Sequence, residues 1–275
     1  MGVVSLAALT ILDAGPLGQI EAAHIGGFKN VGLRLQPLLA TDQTVVGDSE
    51  AEEAIKQALA RTGLGVLEIG VFPLRPDTLV EAFCPTLAFS HRIGARYIVC
   101  PIEDPDRNRR LDTFSRLCEL AESCALEALV EFNPYSACRS LAEAAELVRM
   151  ARKPNAGVLV DALHLSRSGG HPRDIAKYAP GMVPLVHLCD APPPPSAELS
   201  EDELRRESRT ARLLPGEGSL WLDELLDALG PNAHISVEAP SAKYASLPAA
   251  ERARLACHAT QALLSRRNQQ GREDK

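Results

Sequence analysis

The feature that most constrains this chain is a recurrence. Short, almost wholly apolar runs are separated by longer stretches with helical spacing. The runs are LTILD (9–13), VGLRL (31–35), GVLEIG (65–70), YIVCP (97–101), ALVEF (128–132), GVLVD (157–161), LVHLC (185–189) and ISVEA (235–239). Largely apolar runs of about five residues suit strands buried on both faces, as parallel sheets covered by helices require. Between them, SEAEEAIKQALARTG (49–63) has a Ser at the cap, early acids and a closing Gly. SLAEAAELVRMAR (140–152) carries apolar residues at helical spacing and ends in basic residues that suit the helix dipole. DTFSRLCELAESC (112–124) and SLPAAERARLACHATQALLSRR (246–267) read in the same way.

Eight strands alternating with helices have one obvious closed solution, a (β/α)8 TIM barrel. The alternative is an open doubly wound sheet, but no GxGxxG follows the first run. No linker divides the chain, so residues 1–275 read as one barrel domain, with a flexible tail from about 268 to 275. The longest irregular segment, 191–218, reads as a functional loop with a short helix.

Composition narrows the partners. A net charge of -7 gives no electrostatic reason to bind a phosphate backbone. The local cluster DRNRR (106–110) reads as a solvated helix face, and ELRRESRTAR (203–212) belongs to the long loop. The seven cysteines include no CxxC pair and read as free thiols in a reducing cytosol, hence a cytoplasmic protein. The apolar start lacks a basic n-region and reaches Asp13 too soon for a membrane span, so it reads as leading into the first strand.

In such a barrel the chemistry sits at the C-terminal ends of the strands. Those ends carry Glu131 in the fifth run, Asp161 in the sixth, His187 in the seventh and Glu238 in the eighth. One acid at a strand end is more often a helix cap or an ion-pair partner. Four polar ligands on successive strands in one register point to convergence. Two glutamates, an aspartate and an imidazole suit one divalent cation, manganese, cobalt or magnesium, with zinc also admissible. The absence of thiolates argues against a structural zinc site. Without a cation, converging carboxylates would be hard to ionise together. His164 follows Asp161 by three residues and would sit in the same mouth, and Asp190 could orient His187 or cap the next helix.

The motifs EFNPYS, NAGVLVDALHLSRSGG, HLCDA, RLLPGEG and SVEAP, specific as a set, resemble the xylose-isomerase-like sugar isomerase/epimerase superfamily, which includes family-2 AP endonucleases. The resemblance covers nearly the whole chain. It implies a single divalent metal on Glu131, Asp161, His187 and Glu238, with His164 and Arg212 facing the substrate. Some relatives that dehydrate 3-dehydroshikimate carry Gln where this chain has His187, which is closer to the ketose-epimerase pattern. The endonuclease branch fits badly. Its trinuclear site needs further histidines, whereas the second and third runs end in RLQP and EIGVFP.

The chemistry that follows is proton abstraction next to a carbonyl through a metal-stabilised enediolate. One of Glu131 and Glu238 removes the proton and the other returns it. His164 and Arg212 hold substrate oxygens, Phe72 in GVFPLRP supplies an apolar wall, and segment 191–218 folds over the mouth as a lid. The expected function is a metal-dependent isomerase or epimerase of a sugar or related hydroxyketone in carbohydrate metabolism. A 3-dehydroshikimate-type dehydratase is the alternative, and a non-catalytic sugar- or polyol-binding barrel is a further one that leaves the paired glutamates without a purpose. Nucleic acid and membrane are not expected partners. Barrels of this kind often dimerise, so a homodimer is possible, although no residue marks it.

Overall fold

A computed structural model describes residues 2–38, 42–179, 181–230 and 232–273. Eight parallel strands close into a barrel in sequence order: β1 (Val4–Leu6), β2 (Asn30–Arg34), β3 (Gly65–Gly70), β4 (Tyr97–Pro101), β5 (Glu127–Glu131), β6 (Ala156–Asp161), β7 (Leu185–Leu188) and β8 (His234–Val237). The helices are α1 (Gly15–Gly26), α2 (Ser49–Thr62), α3 (Cys84–Arg92), α4 (Arg107–Ser123), α5 (Leu141–Ala151), α6 (Ala162–Arg167), α7 (Glu201–Thr210), α8 (Leu222–Ala228) and α9 (Ala249–Glu273). The expected TIM barrel is therefore the observed fold. No helix among the described residues is long and apolar enough to cross a membrane.

Alternation along each strand sorts the side chains. Ile98, Cys100, Ala128, Val130, Val158, Val160, Val186 and Leu188 pack outward with the helices into one large apolar cluster. Tyr97, Val99, Leu129, Leu159 and Leu185, joined by Leu67, form a separate cluster inside the barrel. Two residues beyond Leu129, Leu159 and Leu185 come Glu131, Asp161 and His187, so the strand period carries these three to the same inner face at the C-terminal rim.

Two local expectations are corrected. The first strand is Val4–Leu6, not 9–13: Val4, Ser5 and Leu6 pair with β8, and Ser5 and Leu6 pair with β2. Residues 8–14 form a 3-10 segment whose Thr10 hydroxyl donates to the Val237 carbonyl at 2.8 Å and accepts from the Ala239 amide at 3.0 Å. The cap of α2 is Asp48, one residue before the expected serine, since its carboxylate accepts from the Glu50 and Ala51 amides. At the other end of the chain, α9 remains helical through Glu273, past the point where the tail was expected to begin. In 106–110, Arg110 is buried and donates to the Ala137 carbonyl, so that stretch is only partly a solvated face.

The Thr10 clamp holds the strand end that carries Glu238. Thr10→Val keeps the shape and removes both hydrogen bonds, leaving a buried amide without its partner. Urea denaturation is expected to show a loss of about 1–3 kcal/mol, against no change for a substitution of the exposed Met150.

Candidate metal centre

Each member of the site is placed by a strand end. Glu131 and Asp161 are the last residues of β5 and β6, His187 pairs in register with Asp161, and Glu238 follows β8 directly. All four are buried, and one ligand atom from each lies within 4.8 Å of the others. His187 Nδ1 sits 3.3 Å from Glu238 Oε2 and 3.6 Å from Glu131 Oε1. Neither ring nitrogen has a hydrogen-bond partner, although the ring is almost fully buried. Three carboxylates and an imidazole with an orphaned nitrogen facing them fit a divalent cation, and the cluster could bind one.

Positive charge is built in around the acids. Arg212 is 1% exposed, although arginine is almost never fully buried unless paired. It contacts Asp161 Oδ2, lies 3.1 Å from Glu238 Oε2, and donates to the Ser208 carbonyl at 2.7 Å and the Glu238 carbonyl at 3.1 Å. Burial pushes the Asp161 carboxyl upward, but Arg212, His164 and His187 together hold the group below its ordinary value. Burial opposes ionisation of Glu238 too, and His187 and Arg212 pull it well below the usual range. For His187 the same contest runs the other way: burial disfavours the proton, and Glu238 and Glu131 raise the ring well above its ordinary value.

His164 is brought into the same mouth. Its amide donates to Asp161 Oδ1 at 2.9 Å, and its ring packs edge-on against Tyr135. Burial lowers its pKa and favours the neutral ring. Tyr135 in turn bonds Ser208 of α7 at 2.7 Å. With the Arg139–Glu201 and Arg167–Glu207 ion pairs, this seats α7 on the loops that follow β5 and β6, at the C-terminal face. Segment 191–218 thus lies where a lid was expected, and it delivers Arg212 to the acids. Asp190 serves neither anticipated purpose. Its carboxylate accepts from the amides of Ala191, Gly216 and Leu220 and so fixes the lid's exit, where Gly216 adopts φ +90°.

Phe72 is not brought to the cluster. It is fully buried, edge-on to Phe83, 5.1 Å between ring centroids. Two charged residues of the barrel escaped the sequence reading. Glu68 on β3 is buried inside the barrel, and burial raises its carboxyl to about 7. Arg34 ends β2 with its Nε unpartnered, and it lines a cavity of about 640 Å³ with Thr10, Gln19, Gln43, Arg209 and Ser241. Arg34 stood at a strand end and could have been found by the same rule that found the others.

A closed barrel with this rim defines a TIM barrel that could bind one divalent metal. More narrowly, the chain belongs to the xylose isomerase-like TIM barrel family, whose model matches residues 21–262. It is similar to an inosose isomerase of Bacillus velezensis, 21% identical over 201 residues that span 68% of this chain and 69% of that one. A second inosose isomerase, of Halalkalibacterium halodurans, is 24% identical over 161 residues, with 57% of this chain and 54% of the relative covered. Among solved structures, the IolI protein with a bound zinc atom superposes with a TM-score of 0.80 at 18% identity, covering 96% of this chain and 98% of that one. The probable 3-DHS dehydratase AsbF from Bacillus anthracis gives a TM-score of 0.70 at 17% identity, covering 95% and 99% of the two chains.

Three outcomes follow from the charges. Arg212→Met leaves Asp161 and Glu238 without their buried cation, and denaturant unfolding is expected to show a loss of about 3–5 kcal/mol. Metal uptake near neutral pH is expected to release about one proton per ion, since the ion takes the nitrogen that the His187 proton occupies. Calorimetry in buffers of different ionisation enthalpy reads this number, and affinity should fall as pH is lowered. In chelator-treated protein, His187 stabilises the fold fully below its ordinary value of 6.5, and that contribution is lost as pH rises through the folded value. Asp161 and Glu238 contribute above their ordinary 3.8 and 4.5, and lose that contribution on acidification through the depressed values.

Proposed function

We propose that this protein is a metal-dependent isomerase or epimerase of a sugar or cyclic polyhydroxy ketone. The observation that carries the reading is the pair Glu131 and Glu238, which approach His187 Nδ1 from separate strands and so bring two carboxylates to one buried site. A divalent ion held by Glu131, Asp161, His187 and Glu238 would supply Lewis acidity for the oxygens of a hydroxyketone. One glutamate takes the proton next to the carbonyl, and the other returns a proton to the neighbouring carbon or to the opposite face. His164, kept neutral by burial, offers a ring nitrogen to a substrate oxygen. Arg212 stabilises negative charge developing beside Glu238. The lid excludes water from the mouth. The relatives named as inosose isomerases support a cyclic ketone as the substrate class.

One observation favours a second reading. Arg34 is a largely buried cation in the cavity beside the strand end that carries Glu238, with the Asp42 carboxylate 3.9 Å away. A carboxylate-bearing substrate would pair with it, and loss of water after proton abstraction would make the enzyme a 3-dehydroshikimate-type dehydratase.

The test is a manganese-, cobalt- or zinc-loaded protein incubated in heavy water with ketoses, inososes and 3-dehydroshikimate. Deuterium uptake without net loss of water supports the isomerase or epimerase, and a conjugated ultraviolet-absorbing product supports the dehydratase. Glu131→Gln and Glu238→Gln should each reduce exchange about 10²–10⁴-fold, the scale of general acid–base catalysis. His164→Asn should raise KM and leave metal content in place. Exchange at the wild-type rate in both glutamine variants, with metal bound, would overturn the acid–base assignment.

A further inference from the structure

The register of β3 is interrupted. Val31 pairs with Val66 and Leu33 pairs with Ile69, so the single residue Gly32 lies opposite two, Leu67 and Glu68. This β-bulge changes the alternation and turns a second side chain inward, as bulges next to active sites often do. Leu67 joins the apolar cluster inside the barrel, and Glu68 follows it into the interior, 3% exposed.

The interior is shaped to receive that carboxylate. A Cβ at position 32 would lie 2.3 Å from Glu68 Oε1 and 2.7 Å from its Cδ, so only glycine admits the group without displacement. Ser5 and Ser236, both fully buried, keep the neighbouring strands small. The Ser236 hydroxyl donates to Glu68 Oε1 at 2.5 Å. Oε1 also lies 3.8 Å from His187 Nε2, the ring nitrogen opposite the one that faces Glu131 and Glu238. Glu68 Oε2 and His187 Nε2 are both buried and lack a hydrogen-bond partner. A hydrogen bond from Nε2–H to the carboxylate would satisfy both groups.

We propose that Glu68 is a positioning residue that receives the Nε2–H of His187, and that Gly32 and the β3 bulge exist to admit it. The contact fixes the tautomer in which the Nδ1 lone pair faces the cluster, and it raises the basicity of that nitrogen as a ligand. This inference rests on reading the four-residue cluster as a metal site.

The test measures zinc and manganese affinity by competition with a chromophoric chelator, alongside thermal unfolding of chelator-treated protein. Glu68→Met keeps the volume and removes the acceptor, and it should weaken affinity about 10–100-fold, the usual effect of losing a ligand's hydrogen-bond partner. Glu68→Gln keeps an acceptor oxygen and should recover part of that loss. Gly32→Ala should weaken affinity in the same direction by displacing the carboxylate. Chelator-treated Glu68→Met should unfold at or above the wild-type temperature, because a desolvated acid has gone. If the variants fail to fold, nitrogen-15 spectra of the zinc-loaded wild type decide: a protonated Nε2 on His187 is required, and a protonated Nδ1 overturns the proposal. Wild-type affinity in Glu68→Met overturns the role of Glu68 while leaving the metal site intact. A wild-type chain that takes up neither ion overturns the reading of the cluster, and this inference with it.

Discussion

Burying like charges together is the constraint on which this barrel's rim depends. Glu131, Asp161 and Glu238 converge where all three are buried, and Glu68 lies one layer further down. Carboxylates this close cannot all ionise unless fixed positive charge faces them. The chain answers with Arg212 across Asp161 and Glu238, and with an imidazole at the centre of the acids. Arg34 adds a cation whose charge is felt by Glu238 and Glu131. The site is therefore an electrostatic unit that includes more of the chain than the four converging ligands.

The lid belongs to that unit. Arg212 comes from near the end of segment 191–218, yet it is as fully buried as a core side chain, at 1% exposed. Its Nε bonds the Ser208 carbonyl at the end of α7, and the same serine's hydroxyl reaches Tyr135 on the loop after β5. Position of the lid and position of the guanidinium are set by one hydrogen-bond chain. Asp190, directly after β7, then ties down the segment's return to the barrel. These links make the covering segment a support of the acids as well as their cover.

The sequence was most legible where periodicity and burial agree. From β5 to β8, each apolar run carries one polar side chain at or next to the C-terminal end of its strand, and strand geometry brings those side chains to one rim. The first strand was misplaced because 9–13 is as apolar as 4–6, and only pairing with β8 distinguishes them. Asp190 was ambiguous because its partners lie far along the chain in the lid's return. Phe72 looked available because it lies in a proline-bounded segment after β3, but packing against Phe83 takes it into the core. Glu68 could not be read at all. Its orientation is set by a bulge, and a bulge is defined by the neighbouring strand, not by the run that contains it.

That bulge also governs how the chain can change. Positions 32 and 68 share one small volume, so neither can vary without regard to the other. Any side chain placed at 32 meets the carboxylate and must displace it, unless residue 68 has already been shortened or turned away. Shortening residue 68 first leaves room that a larger residue 32 can then fill. The order of substitution matters, and a two-step path is open in one direction and obstructed in the other. The effects of paired changes at these positions will not add, although the two residues are 36 apart in the chain. A survey of single substitutions would treat the two positions separately and miss that they are one site.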